Sequence, residues 1–87
     1  MNNFANESFK RLSPEKQNRI LKAAIAEFAE RGYELANTNR IAKRAKISVG
    51  SIFHYFTTKE NLFLYIVQYG SAMIEEYAGK VVDNETL

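Results

Sequence analysis

The segment from Thr38 to Lys59 reads TNRIAKRAKISVGSIFHYFTTK, and it decides how the chain folds. Apolar residues at three- and four-residue spacing predict two very short helices here, with a tight turn at residues 46–48 between them. The outward positions of the second short helix carry hydroxyl, imidazole and aromatic groups. A short helix with such a surface suits the major groove of DNA, which is wide enough to admit one α-helix.

The composition limits the classes of protein to which the chain can belong. Its 87 residues form one domain at most, and 46% hydrophobic with 25% charged residues is typical of a folded domain. Because cysteine is absent and histidine occurs once, a disulfide framework or a metal site is not expected. The amino terminus lacks the apolar core of a signal peptide, and no apolar run approaches the ~18 residues of a membrane span. We therefore expect a cytoplasmic protein without a cofactor.

Charge is distributed unevenly along the chain. Residues 9–59 contain eleven Lys and Arg against four Glu, whereas residues 60–87 contain one Lys against five acidic residues. A basic front and an acidic back suit a protein that meets a polyanion with one end. The alternative is a small basic helical module that binds an acidic protein or an anionic membrane surface. An enzyme is not expected, since the sequence contains no nucleophile arrangement, carboxylate pair or phosphate loop.

Local signals predict a long helix before the two short ones. Ser13 can cap its first turn, and Pro14 suits its first position. Gly32 is expected to end this helix, so residues 33–37 are expected to form a loop. One apolar stripe should face the core, with Ile20, Leu21, Ala24, Ile25 and Phe28 at helical spacing.

The short helices and the one after them have their own start signals. Asn37 or Thr38 should cap the first short helix, and Ser48 the second. Thr57 and Glu60 resemble a capping box for a fourth helix. The residues expected in the core of the domain are Phe28, Ile41, Ile52, Phe56 and Leu62, joined in part by Phe53. The fourth helix is expected to carry Leu62, Ile66, Tyr69, Met73 and Tyr77.

A set of residues occurs in a fixed order within residues 13–63: Thr38, Ile41-Ala42, Ala45, Ile47-Ser48, Gly50-Ser51-Ile52, Phe53-His54-Tyr55-Phe56 and Lys59-Glu60-x-Leu62. Together they resemble the N-terminal DNA-binding domain of the TetR family of bacterial repressors. The resemblance implies a helix-turn-helix, a homodimer on a palindromic operator in double-stranded DNA, and regulation by a small-molecule effector. The dimer contacts and the effector site would belong to a larger C-terminal domain, most of which would follow Leu87.

The expected fold is therefore all-α: a three-helix, homeodomain-like helix-turn-helix bundle plus the start of a fourth, connecting helix. Residues 1–12 are expected to form a flexible N-terminal arm, residues 13–58 the DNA-binding domain, and residues 59–87 the connecting helix and the start of a truncated ligand and dimerisation domain. Two positions depart from the family pattern. Lys46 stands where the family commonly has glycine, so it must accept an unusual backbone geometry. Phe53 stands where tyrosine is usual, and it lacks the hydroxyl that often reaches DNA.

The expected DNA contacts cluster on the short helices and at the starts of their neighbours. Ser48 and Ser51 can bond to phosphate or to several base edges, although Ser48 is equally explained as a plain N-cap. Val49 offers an apolar contact to a thymine methyl. Gly50 either lets the sugar-phosphate strand approach the helix or is a tolerated early-turn glycine. The full set expected at DNA is Thr38, Asn39, Ser48, Val49, Gly50, Ser51, Phe53, His54, Tyr55 and Lys59.

Two of these contacts are expected to be made to phosphate at helix starts. Free backbone amides favour an anion there, and the Thr38 hydroxyl or the Lys59 ammonium would add to the site. The Tyr55 hydroxyl is expected to donate to phosphate while its ring packs on Phe53 or on the sugar. A purely structural Tyr55 is the competing interpretation.

Overall fold

The computed structural model describes residues 4–69, and all of its regular structure is helical. The elements in chain order are α1 (Glu7–Lys10), α2 (Pro14–Leu35), α3 (Thr38–Ala45), α4 (Val49–Phe56) and α5 (Lys59–Tyr69). The all-α prediction is confirmed. Within the described part, no helix is both long and apolar enough to cross a membrane. The expectations placed on Met73, Tyr77 and the rest of residues 70–87 lie outside the described residues.

Helix α2 is the longest of the described helices, and α3 and α5 pack on it. The Ser13 hydroxyl accepts a hydrogen bond from the Lys16 amide at 3.2 Å, and Pro14 occupies the first turn, as predicted. At Gly32 the backbone leaves the helical region, with φ 75° and ψ 168°, which is a conformation almost exclusive to glycine. The chain then resumes a helical turn to Leu35. The expected stop is therefore a kink, and the expected loop at residues 33–37 is shorter than predicted.

The core lies among α2, α3, α4 and α5: α3 and α5 pack on the apolar side of α2, and α4 packs on α3 and α5. The predicted stripe of α2 is confirmed, because each of its members is buried. The predicted core residues are also confirmed, with exposed fractions of at most 9% in Phe28, Ile41, Ile52, Phe56 and Leu62. Phe53 differs from the prediction, since 44% of it is exposed. Helices α3 and α4 have only about two turns each, and isolated helices of that length are not stable in water. Burial against the rest of the domain therefore stabilises them.

The amino-terminal segment differs from the flexible arm expected at residues 1–12. Residues 7–10 form helix α1, and Ala5 and Phe9 are buried with exposed fractions of 1% and 0%. The Phe9 ring lies 4.8 Å from that of Phe56 and 5.5 Å from that of Tyr65, between centroids. No local sequence pattern predicts these contacts of Phe9, because its partners lie far along the chain.

The start of α5 corrects the predicted capping box. The Thr58 hydroxyl, not that of Thr57, accepts a hydrogen bond from the Asn61 amide at 3.0 Å. Thr57 instead ends α4 with φ 73°, a positive value that is uncommon outside glycine. Two adjacent threonines offered the same capping chemistry, and the position at which α4 ends decides which of them is used.

Candidate DNA-binding surface

Helices α3 and α4 are joined by a turn of three residues, which is the spacing of a helix-turn-helix. Lys46 adopts the left-handed conformation, with φ 60° and ψ 41°. This unusual backbone geometry was predicted because Lys46 stands where the family commonly has glycine. The Lys46 amide donates to the Lys43 carbonyl at 3.2 Å and the Ile47 amide to the Ala42 carbonyl at 3.0 Å. These two bonds form a Schellman motif, which satisfies carbonyls that the helix end leaves free. Ile47 is half-buried beneath the turn.

Two serines define the first turn of α4. The Ser48 hydroxyl accepts a hydrogen bond from the Ser51 amide at 3.1 Å, so the N-cap interpretation of Ser48 is confirmed. The two hydroxyl oxygens lie 2.9 Å apart and share a hydrogen bond. Ser48 is exposed and Ser51 is half-buried. Each hydroxyl keeps capacity for a further hydrogen bond to an external group, because an oxygen of this type donates once and accepts twice.

The outward face of α4 is formed by Gly50, Phe53 and His54, which are all exposed; Phe53 and His54 follow Gly50 by three and four residues. Val49 and Tyr55 flank this face and are half-buried. The Tyr55 ring does not pack on Phe53, which is one of the two neighbours predicted for it. It lies 5.8 Å from the Phe9 ring and 5.5 Å from the His54 ring, between centroids, because α1 covers that side of the helix.

The first turn of α3 is capped from within the protein. The Asn37 side-chain oxygen accepts hydrogen bonds from the amides of Asn39 at 2.8 Å and Arg40 at 3.3 Å. These two amides are therefore already bonded and are not open to a phosphate, in contrast to the expectation for this helix start. The side chain of Thr38 is half-buried and that of Asn39 is exposed.

Lys59 is placed differently from the phosphate contact expected of it. Its ammonium donates to the carbonyl oxygens of Tyr33 at 2.7 Å, Ala36 at 3.3 Å and Glu34 at 3.4 Å. It also lies 4.6 Å from the centre of the Tyr33 ring, within the range of a cation–π interaction. The Lys59 side chain thus joins the start of α5 to the kinked end of α2.

A buried carboxylate that the sequence reasoning missed anchors the start of α3. Glu27 is fully buried, and its oxygens accept from the Asn37 amide at 3.0 Å and from Arg40 Nε at 3.2 Å, with Arg31 Nε at 3.3 Å. Burial raises the pKa of Glu27, but the Asn37 hydrogen bond and the guanidinium of Arg40, then that of Arg31, outweigh it and hold the pKa below its usual value. The available signal was an acid inside the apolar stripe with Arg31 four residues on.

The outward side of α3 is basic and concave. Arg40, Lys43 and Arg44 line a shallow depression in the surface. Arg44 also pairs with Glu30 at 2.8 Å, so part of this positive charge is balanced from α2. Within residues 4–69, no group of three His, Cys, Asp or Glu side chains is placed to hold a metal ion. The three basic side chains that line the depression suit it to diffuse attraction of an anion.

The predicted contacts fall into two groups in the structure. Seven of them lie on α4 or at its N-cap: Ser48, Gly50, Phe53 and His54 are exposed, whereas Val49, Ser51 and Tyr55 are half-buried. Thr38 and Asn39 lie at the start of the adjoining helix α3, whereas the ammonium of Lys59 is turned away to α2. The arrangement presents a short helix, held by tertiary contacts, whose exposed groups offer hydroxyl, imidazole and apolar contacts beside a basic surface.

Comparison with known proteins agrees with this geometry. Residues 20–66, which contain α3, α4 and the turn between them, match the family described as bacterial regulatory proteins, tetR family. The chain is 41% identical over 61 residues to the HTH-type transcriptional repressor AcnR of Corynebacterium diphtheriae, covering 70% of this chain and 32% of that protein. It is 39% identical over 51 residues to the HTH-type transcriptional regulator QacR of Staphylococcus aureus, covering 59% and 27%.

A solved structure shares the fold. The crystal structure of a TetR family transcriptional regulator from Chloroflexus aurantiacus superposes with a TM-score of 0.73 and 32% identity, covering 88% of this chain and 36% of that one. The chain thus spans between 27% and 36% of the length of these three proteins. With a helix-turn-helix of the expected geometry and a family match over more than half its residues, the chain belongs to the TetR family of bacterial regulatory proteins.

Proposed function

We propose that this chain carries the DNA-binding part of a transcriptional repressor, with α4 entering the major groove of its operator. The observation that supports this most is the outward face of α4. Gly50, Phe53 and His54 are exposed there. An exposed phenylalanine and a glycine within a helix do not favour the stability of the free domain, so stability alone does not explain them. Relatives named as transcriptional repressors and regulators support the same activity.

The contacts divide into groups with different consequences. Ser48, Ser51 and His54 would bond to base edges or phosphates, and Val49 and Phe53 would touch apolar base edges such as thymine methyls. The basic depression on α3 would attract phosphate without selecting sequence. Lys59 would act on DNA binding through the α2–α5 junction that its ammonium holds.

The whole protein would act as a homodimer on a palindromic operator in the cytoplasm. Its two recognition helices would then lie roughly 34–36 Å apart, one turn of DNA. A small-molecule effector bound in a C-terminal domain would change that spacing and release the DNA. Unchanged operator affinity in the presence of every ligand that binds the full-length protein would contradict this regulation.

The decisive experiment compares the affinity of the protein for the intergenic DNA upstream of its own gene with that for random duplex, at two salt concentrations. We expect a preference for the upstream DNA that survives the higher salt, because base contacts do not depend on counterion release. Equal binding that salt abolishes would contradict sequence-specific recognition.

Pelleting with anionic liposomes tests the competing interpretation of a basic module on a membrane or acidic partner. Sedimentation with liposomes together with equal affinity for all DNA would favour that alternative. The Lys43→Ala variant is the comparison protein in both the liposome and the DNA assays, because it lowers the basic charge of α3 without altering the face of α4.

A further inference from the structure

The carboxyl end of α4 poses a requirement that the helix cannot meet alone. The last four carbonyls of any helix lack partners within it. In α4 the chain that follows supplies two of the four: the Thr57 amide donates to the Phe53 carbonyl and the Thr58 amide to the Phe56 carbonyl, each at 2.8 Å. The two carbonyls between these, of His54 and Tyr55, receive no hydrogen bond from that following segment.

One residue of the amino-terminal segment supplies both missing donors. The Asn6 amide donates to the Tyr55 carbonyl at 2.9 Å, and its side-chain nitrogen Nδ2 donates to the His54 carbonyl at 2.6 Å. The Asn6 side-chain oxygen Oδ1 accepts from the Phe9 amide at 3.0 Å and so caps α1. The side-chain amide can have only this orientation, because the Phe9 group is a donor and the His54 group an acceptor.

Packing holds the same segment in place. The fully buried Phe9 ring lies against Tyr55 and Phe56 of α4 and against Tyr65 of α5. At the other end of α1, Gln17 of α2 donates from Nε2 to the Leu12 carbonyl at 2.9 Å and to the Lys10 carbonyl at 3.2 Å. Residues 5–12, here named the amino-terminal clip, are thus bonded to the helices on both sides of them.

We propose that the amino-terminal clip is a working part of the DNA-binding unit, with Asn6 as the residue that positions the carboxyl half of α4 against DNA. Asn6 itself need not touch DNA. It acts through His54 and Tyr55, whose carbonyls it binds and whose side chains belong to the candidate DNA surface. The proposal rests on the proposed DNA-binding function.

The effect on DNA should appear as lost discrimination between sequences. An α4 of eight residues is too short to keep its geometry without tertiary contacts. When its last turn loosens, His54 and Tyr55 lose their fixed relation to base edges and phosphates. General attraction to the polyanion depends on net charge and should remain.

The test uses Asn6→Asp with Ser8→Asp as its matched control. Aspartate at position 6 keeps the backbone bond to Tyr55 and the cap of α1, but it replaces the Nδ2 donor with an oxygen that faces the His54 carbonyl. Ser8 is exposed on α1, so its variant adds the same charge without touching α4. Affinities for upstream and random DNA are measured well below the unfolding midpoint of each variant.

We expect Asn6→Asp to lower the ratio of upstream to random affinity about tenfold relative to Ser8→Asp, with both variants losing random-DNA affinity equally. In the uncharged pair, Asn6→Ser should likewise have a lower ratio of upstream to random affinity than Ser8→Ala. This pair replaces the first one if Asn6→Asp does not fold. Equal ratios for each variant and its control would overturn the role of the clip while leaving the proposed function intact. A wild-type protein that does not discriminate between the two DNAs would overturn the proposed function, and this inference with it.

Discussion

Replacing Gly50 by Ala should make the domain more stable and a poorer DNA binder. Gly50 lies in the first turn of α4 with an exposed backbone, and among the described glycines only Gly32 has a positive φ. A Cβ built at Gly50 would meet just the Ser48 hydroxyl, at 3.7 Å, which is ordinary van der Waals contact. Nothing inside the described protein therefore requires glycine at this position.

The size of each effect follows from that geometry. Alanine is favoured over glycine by up to about 1 kcal/mol in a helix interior, and we expect about 0.5–1 kcal/mol in this first turn. For a domain of this size the unfolding midpoint should rise by roughly 2–8 °C. The added methyl group would lie on the outward face of α4, so a close sugar-phosphate strand would have to move away. A loss of about tenfold or more in affinity for upstream DNA is expected.

Thermal unfolding followed by circular dichroism and a DNA-binding titration measure the two effects separately. Gly32→Ala is the contrasting control, because it introduces a side chain where φ is 75° and ψ is 168°, away from α4. It should destabilise the domain by about 1–3 kcal/mol, and at temperatures where it is folded it should leave the ratio of upstream to random DNA affinity unchanged. Wild-type DNA affinity in Gly50→Ala would refute the close approach, and a lowered unfolding midpoint would refute the geometry of this turn.

Three further substitutions test other parts of the surface. Glu27→Gln should lower the unfolding free energy by about 1–3 kcal/mol at neutral pH. Because the folded-state pKa of Glu27 is depressed, its contribution to stability is present above the unfolded-state pKa and is lost as pH falls through the folded-state pKa. The unfolding free energies of wild type and variant, measured by chemical denaturation, should therefore converge at pH below about 4. Lys59→Met should lower the unfolding free energy by about 1–2 kcal/mol through the lost carbonyl contacts, and it should weaken upstream and random DNA binding alike; an unchanged unfolding curve would contradict the junction role. Phe53→Ala should weaken binding to upstream DNA, and replacing thymine by uracil in that DNA should then harm the wild type more than the variant. Equal harm to both would exclude an apolar contact between Phe53 and a thymine methyl.

Local signals in the sequence predict much of this fold. The caps at Ser13, Asn37 and Ser48, the apolar stripe of α2 and the left-handed Lys46 depend on residues within a few positions of one another. Such features follow from side-chain chemistry and helical spacing, so they can be inferred before any tertiary contact is known.

The remaining features depend on contacts between distant parts of the chain. The buried Phe9, the Asn6 bonds to α4 and the Lys59 bonds to the end of α2 join residues 23 or more positions apart. Lys59 has an ordinary local context, which fits a phosphate contact equally well. Its partners become visible only when the kink at Gly32 turns the carbonyls of α2 toward α5.

Helix α4 lies between two non-glycine residues with positive φ, Lys46 at 60° and Thr57 at 73°. Each such residue costs of order 1–3 kcal/mol that the surrounding contacts must offset. The segment between them should therefore open locally at a lower free energy than α2, and its amides should exchange with solvent sooner. The helix with the candidate DNA face would then be the one whose hydrogen exchange slows most when DNA binds, and a glycine at position 46 would reduce that change by slowing exchange in the free protein.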